Sequence, residues 1–200
     1  VDENVLKFMG SREFEASIMA NETIEASVAF IDICSFTAIS ENETPDVVVT
    51  LLNRYFDLIA KEIIAQNGFI DKFIGDCVMS VFKGPYHLDR AIDACLSIRD
   101  KIDALPAAGV NFSPKVSIGI NSGEMISGNI GSATIKRLDY TVIGDTVNTA
   151  QRLQSAAGVG QILINDACFE KVKQSFNCRK IGPVNLKNKA HVVVAYEVLN

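Results

Sequence analysis

Apolar positions along this chain fall into two kinds of pattern, short continuous runs and stripes at spacings of three and four. The first run, Ser27-Val-Ala-Phe-Ile31, predicts a buried strand over 25–33. Thr44-Pro-Asp46 then opens a helix, with proline tolerated in its first turn. Val48, Leu52, Phe56, Ile59 and Ile63 mark its buried face, and Asn67-Gly68 ends it. Runs at 69–74 and 78–82, joined by Gly75-Asp76, predict a hairpin. A second helix follows Gly84-Pro85, with Leu88, Ala91, Ile92, Cys95, Ile98, Ile102 and Leu105 on one side, and is closed at 106–109. A strand is predicted at 116–120, glycine-rich strand segments at 123–130, and a further strand at 140–143. The chain then reads as a helix over 145–156, a strand at 161–164, a short Asn-capped helix over 165–173, and a closing hairpin of 178–186 with 191–198.

Strand, helix, hairpin, helix, strand is the order of a split βαβ, ferredoxin-like α+β sandwich. Its palm-like, mostly antiparallel sheet would carry both helices on one face, and the remaining segments form a C-terminal αβ extension. Residues 1–24 show scattered apolar positions without a period and are expected to be an arm from a missing upstream region. Residues 25–200 are expected to form one domain, since no repeat or low-complexity linker divides them. The chain starts at Val1 without a methionine, which suggests a module of a longer protein.

Composition narrows the partners. A net charge of −5 argues against nucleic acid or an anionic membrane as the main partner. Five cysteines, an odd number without a CxxC pair, suggest reduced thiols in a cytoplasmic compartment, with Cys77 and Cys95 in the core. No apolar run reaches the ~18–20 residues that span a bilayer. His87 and His191 are isolated and read as surface residues.

Candidate chemistry centres on acids at strand ends. Asp32 closes the first run between Ile31 and Ile33, and Asp76 follows Gly75 in the hairpin turn. A buried carboxylate needs a partner, either a basic side chain or a metal ion. Salt bridges are therefore one account of these acids, and a hard oxygen site for divalent cations and phosphates is the other. Cys34-Ser-Phe-Thr37 places backbone N–H groups of Cys34, Ser35, Phe36 and Thr37 at a turn entering a helix, a cradle for phosphate oxygens. Asn148 and Arg152, at i and i+4, share one helix face; they form either an exposed polar stripe or a pair that orients a sugar and stabilises a phosphoryl transition state. Lys72 on a strand and Lys187 or Lys189 at a hairpin tip are solvated lysines or ligand contacts. No serine-nucleophile elbow, Walker loop or dinucleotide glycine fingerprint is present.

Together, Phe30-Ile-Asp-Ile-x-x-Phe-Thr37, Lys72-Phe-Ile-Gly-Asp76 and Thr141-Val-Ile-Gly-Asp-Thr-Val-Asn148 followed by Arg152 resemble the class III nucleotidyl cyclase catalytic domain over residues 25–198. The resemblance implies conversion of ATP to 3′,5′-cyclic AMP and pyrophosphate by two-metal-ion catalysis. It implies that Asp32, Asp76 and the carbonyl of Ile33 hold two divalent cations, Mg²⁺ or Mn²⁺, with Ca²⁺ compatible with one site. Lys72 and Thr141 would read the base, Asn148 would position the ribose, Arg152 would act in the transition state, and Lys187, with Lys189 as its rival, would contact the terminal phosphates. The site would form in a homodimer, metals and cradle from one chain, Asn148 and Arg152 from the other. Lys72 donates only, which suits adenine's ring nitrogen. Thr141, where many adenylyl cyclases carry Asp, resembles the bicarbonate-responsive subgroup, including the cyanobacterial CyaC type, with bicarbonate as an activator. Competing readings are a catalytically silent nucleotide-binding dimerisation module and a guanylyl or dual-specificity cyclase. A diguanylate-cyclase relative lacks its Gly-Gly-Asp/Glu-Glu-Phe signature.

Overall fold

The computed structural model describes residues 21–105, 114–132, 137–184 and 192–200. The expected arm up to residue 20, the helix closure at 106–109, and the hairpin tip with Lys187, Lys189 and His191 lie outside the described residues. The sheet is built around β1 (Glu22–Ile33), which starts earlier than the expected residue 25. Its antiparallel neighbours are β3 (Cys77–Lys83) and β4 (Val116–Ser132). β2 (Phe69–Ile74) forms one edge, paired with β3. Beyond β4 lie β6 (Ile162–Asn165), β8 (Val193–Val198) and β7 (Cys178–Val184), while β5 (Arg137–Ile143) pairs with the distal half of β4. Only the β4–β6 pairing is parallel among the described strands. This is the expected α+β architecture, a mostly antiparallel open sheet with helices.

Period-two alternation in β1 divides the core. Ala29, Ile31 and Ile33 face α2 (Pro45–Ala65) and α3 (His87–Asp103), in a cluster with Ile59, Ile63, Ile92, Ile98 and Ile102. Val28 and Phe30 face the other way, toward Val147 and Ala150 of α4 (Asp145–Ala156). The first two long helices thus share one face as expected, whereas α4 covers part of the opposite one. The short helices α1 (Phe36–Asn42) and α5 (Asp166–Val172) complete the described set; the Asn165 side chain accepts the Cys168 N–H at 2.8 Å and caps α5.

Several expectations change. The separate segments at 116–120 and 123–130 form one continuous strand, because β1 pairs along 116–127 and β5 takes over from 126. The fully buried aromatic of α2 is Tyr55, with Phe56 only partly covered. Cys95 is buried, but Cys77, at the start of β3, is only half-buried. His87, expected at the surface, is only partly exposed. Its Nδ1 is hydrogen-bonded at 2.8 Å to Oγ of fully buried Ser27, and burial lowers its pKa, with the charge of Glu25 opposing. The unfolded chain therefore binds the proton more readily, and stability present above pH about 6.5 should fall as pH drops below it. Melting temperature should decline more steeply from about pH 7 to about pH 5 in the natural protein than in His87→Gln. Parallel curves would contradict this.

Close approach of α4 to β4 depends on Gly119. A Cβ there would lie 2.1 Å from the Gln154 nitrogen and 2.4 Å from the Ala150 oxygen, both backbone atoms that cannot swing aside. Gly119→Ala should destabilise the domain by about 3 kcal/mol or more in denaturant unfolding. An unchanged midpoint would show that the helix is not seated as described.

Candidate active site

Asp32 sits one residue from the end of β1, paired in register with Cys77 on one side and Ser117 on the other. The β2–β3 turn passes through Gly75 in the left-handed region (φ 63°), a conformation that favours glycine, and delivers Asp76 beside it. The Ile33 N–H donates to the Asp76 carbonyl at 3.4 Å, tying the turn to the strand end. Burial, and then the charge of Asp76, push the Asp32 carboxyl up to about 6. The same surroundings, burial first and then the charges of Asp32 and Asp76, push the Cys77 thiol up to about 12. Neither acid pairs with a lysine or arginine among the described residues. The salt-bridge account is therefore not what the structure contains. Two carboxylates that repel each other at a strand end form an oxygen donor set that a dication fits. The described residues contain no cluster of three His, Cys, Asp or Glu, so any further protein ligand would be a backbone oxygen such as that of Ile33.

The cradle is narrower than expected. Cys34 donates its N–H to the Lys115 carbonyl at 2.9 Å, which removes it as a donor to phosphate. Ser35 takes a left-handed conformation (φ 64°) at the start of α1, and the Phe36 ring is buried in the core. The backbone N–H groups of Ser35, Phe36 and Thr37 remain as the candidate cradle.

A second group forms where β2 meets β5. The Lys72 ammonium donates to Thr141 Oγ1 at 2.9 Å, across 69 residues of sequence. Thr141 in turn donates to Asp71 Oδ1 at 2.9 Å, and Lys72 Nζ lies 3.1 Å from the same oxygen. Asp71 escaped the sequence reading, although an acid inside Phe69-Ile-Asp-Lys-Phe-Ile74 was the available signal. Lys83 was also missed. Its Nζ donates to Ser127 Oγ at 3.3 Å and Tyr140 Oη at 3.1 Å, and lies 5.4 Å and 5.2 Å from the ring centroids of Phe69 and Tyr140. This lysine clamps the β4–β5 hairpin onto β2–β3 and so supports the Lys72–Thr141 contact.

Asn148 and Arg152 share a face of α4, Asn148 exposed and Arg152 partly buried. The helix is pinned at both ends. Thr146 Oγ1 donates to the Glu124 carbonyl at 2.7 Å, Asn121 Nδ2 to the Thr146 carbonyl at 3.1 Å, and Gln154 Nε2 to Ser117 Oγ at 3.0 Å. Neither the Asn148 nor the Arg152 side chain hydrogen-bonds to Asp32, Asp76, Lys72 or Thr141 within the chain. The structure thus joins the acids to one another and the lysine to the threonine, and leaves the amide and guanidinium unpartnered among the described residues.

The described residues thus bring together a strand-end carboxylate pair and a lysine–threonine pair on one mixed sheet, with an uncommitted guanidinium on the helix packed against it. The sequence matches the family "Adenylate and Guanylate cyclase catalytic domain" over residues 18–199, and the chain belongs to that family. It is similar to Adenylate cyclase 1 of Rhizobium meliloti (strain 1021), with 31% identity over 187 residues, covering 88% of this chain and 27% of that relative. Its fold is similar to that of the adenylyl cyclase CyaB from P. aeruginosa, with TM-score 0.85 and 33% identity over 90% of this chain and 96% of the other. It is also similar to the guanylate cyclase domain of RhGC from Catenaria anguillulae, solved in complex with GTP, with TM-score 0.81 and 27% identity over 89% and 98%. The chain spans about a quarter of the Rhizobium relative's length. No helix among the described residues is long and apolar enough to cross a membrane.

Proposed function

We propose that this domain is an adenylate cyclase that closes ATP into 3′,5′-cyclic AMP with release of pyrophosphate. The observation that carries the reading is the Lys72–Thr141 contact at 2.9 Å, which presents a donor and a hydroxyl side by side as adenine's edge requires. Cyclase domains in general use divalent metal ions. Two such ions, Mg²⁺ or Mn²⁺, held by Asp32, Asp76 and the Ile33 carbonyl, would activate the ribose 3′-hydroxyl and offset charge on the pyrophosphate. The cradle N–H groups of Ser35, Phe36 and Thr37 and the Lys187 side chain bind the phosphates. Asn148 orients the ribose, and Arg152 offsets charge that develops at the α-phosphorus.

The site is shared between two copies of the chain. Support comes from Asn148 and Arg152, which make no hydrogen bond to the acids of their own chain and have no other partner among the described residues. It comes also from the exposed apolar side chains Phe73, Ile74, Ile126, Ile130, Tyr140 and Ile143, which a second copy would cover. Bicarbonate activates the enzyme, a reading supported by Thr141 in place of a carboxylate. All five cysteines are free, which supports a reducing, cytoplasmic setting.

The deciding experiment measures cyclic AMP from ATP and cyclic GMP from GTP with Mg²⁺ or Mn²⁺, with and without bicarbonate at constant pH. Cyclic AMP as the main product supports the reading. Cyclic GMP as the main product would make the domain a guanylyl cyclase, and no product from either would make it a silent nucleotide-binding module.

A further inference from the structure

We infer that Asp71 is a positioning residue for base selection, one that fixes the Thr141 hydroxyl as an acceptor toward the nucleotide and so excludes guanine. The inference rests on the adenylate cyclase reading. A threonine hydroxyl carries one proton and two lone pairs, so by itself it could donate to guanine's carbonyl as easily as accept from adenine's amine. In this structure the proton is committed. Thr141 Oγ1 donates to Asp71 Oδ1 at 2.9 Å and accepts from Lys72 Nζ at 2.9 Å. One lone pair is left, so Thr141 can only accept from a bound base. Adenine's amine satisfies it, whereas guanine would bring an oxygen against an oxygen.

Asp71 also orients Lys72, whose Nζ lies 3.1 Å from the same carboxylate oxygen. One ammonium proton goes to Thr141 and another faces Asp71, leaving the third for adenine's ring nitrogen. Guanine carries a hydrogen at the corresponding ring position.

Local backbone geometry makes this triad possible. Consecutive strand residues point to opposite faces, so Asp71 and Lys72 could not both reach Thr141 from a regular strand. The pairing of β2 with β3 shifts register between Ile70 and Lys72, and this bulge turns both side chains to the same side. The Asp71 side chain is completely buried, so it acts through its two neighbours and not on the base. Its second oxygen, Oδ2, is buried without a hydrogen-bond partner, an unfavourable arrangement that a purely apolar strand would avoid.

The test compares kcat/KM for ATP and GTP in the natural protein and in Asp71→Ala. Freeing the Thr141 proton should raise the GTP-to-ATP ratio by about tenfold, the scale of one buried hydrogen-bond mismatch. Asp71→Leu, which fills the volume without an acceptor, gives the same reading if the alanine variant does not fold. Adding Thr141→Asp to Asp71→Ala should restore the preference for ATP, since a carboxylate at 141 accepts without help. Parallel losses for both nucleotides at an unchanged ratio, or no rescue by Thr141→Asp, would overturn the inference and leave Asp71 a structural anchor. A natural protein that prefers GTP, or uses neither nucleotide, would instead overturn the reading on which it rests.

Discussion

Arg152→Ala should turn over ATP about 10²–10³-fold more slowly, with KM changed only a few-fold. Arg152 is partly buried on α4, four residues after Asn148, with no protein partner among the described residues. Nothing in the fold consumes its guanidinium, so its removal should leave thermal stability close to that of the natural protein. The charge it would meet grows at the α-phosphorus only as the ring closes, which is why the loss should fall on kcat. Arg152→Lys should recover little, because an ammonium cannot reproduce the planar fork. An equal effect on kcat and on ATP affinity would mean that the residue binds substrate without favouring the transition state.

The second large effect should come from Asp32→Asn, with ATP turnover lowered by at least about 10³-fold in Mg²⁺. The substitution keeps the side chain's shape and removes one of two like charges at a half-buried strand end. Without added metal its melting temperature should therefore equal or exceed that of the natural protein. Adding Mn²⁺ should raise the melting temperature of the natural protein and not that of the variant. A structural ion pair would behave in the opposite way, with Asp32→Asn losing stability in the absence of metal. That result would remove the cation site.

Much of this was readable from residue patterns, for identifiable reasons. Periodicity located α2, α3 and α4 because each buries a stripe against the sheet, and Gly75-Asp76 marked the β2–β3 turn because a left-handed residue was needed there. The acids and Lys72 were visible as polar residues interrupting apolar runs, whereas Thr141 stood out only through the family resemblance. Less legible was anything set by contact between distant segments. Asp71 drew no attention in the sequence, because only the bulge between Ile70 and Lys72 turns it toward a residue 70 positions away. Lys83 gave no signal, because its partners Ser127 and Tyr140 lie on a different hairpin. His87 read as surface because its partner, Ser27, is buried in a strand 60 residues earlier. The use of the Cys34 N–H by Lys115 is likewise a tertiary fact. No pattern in local sequence reports it.

The claim on which the account stands is that one copy of the chain supplies the acids and another supplies the guanidinium. Mixing Asp32→Asn with Arg152→Ala tests it directly. Each variant alone should be nearly inactive. In a mixed dimer, one site would carry both defects and the other neither. With random exchange, half the dimers would be mixed and each would hold one intact site, so cyclic AMP formation should return to about a quarter of the natural rate. Activity that stays at the level of the separate variants, under conditions where subunit exchange is verified, would place the whole site within a single chain and contradict the account.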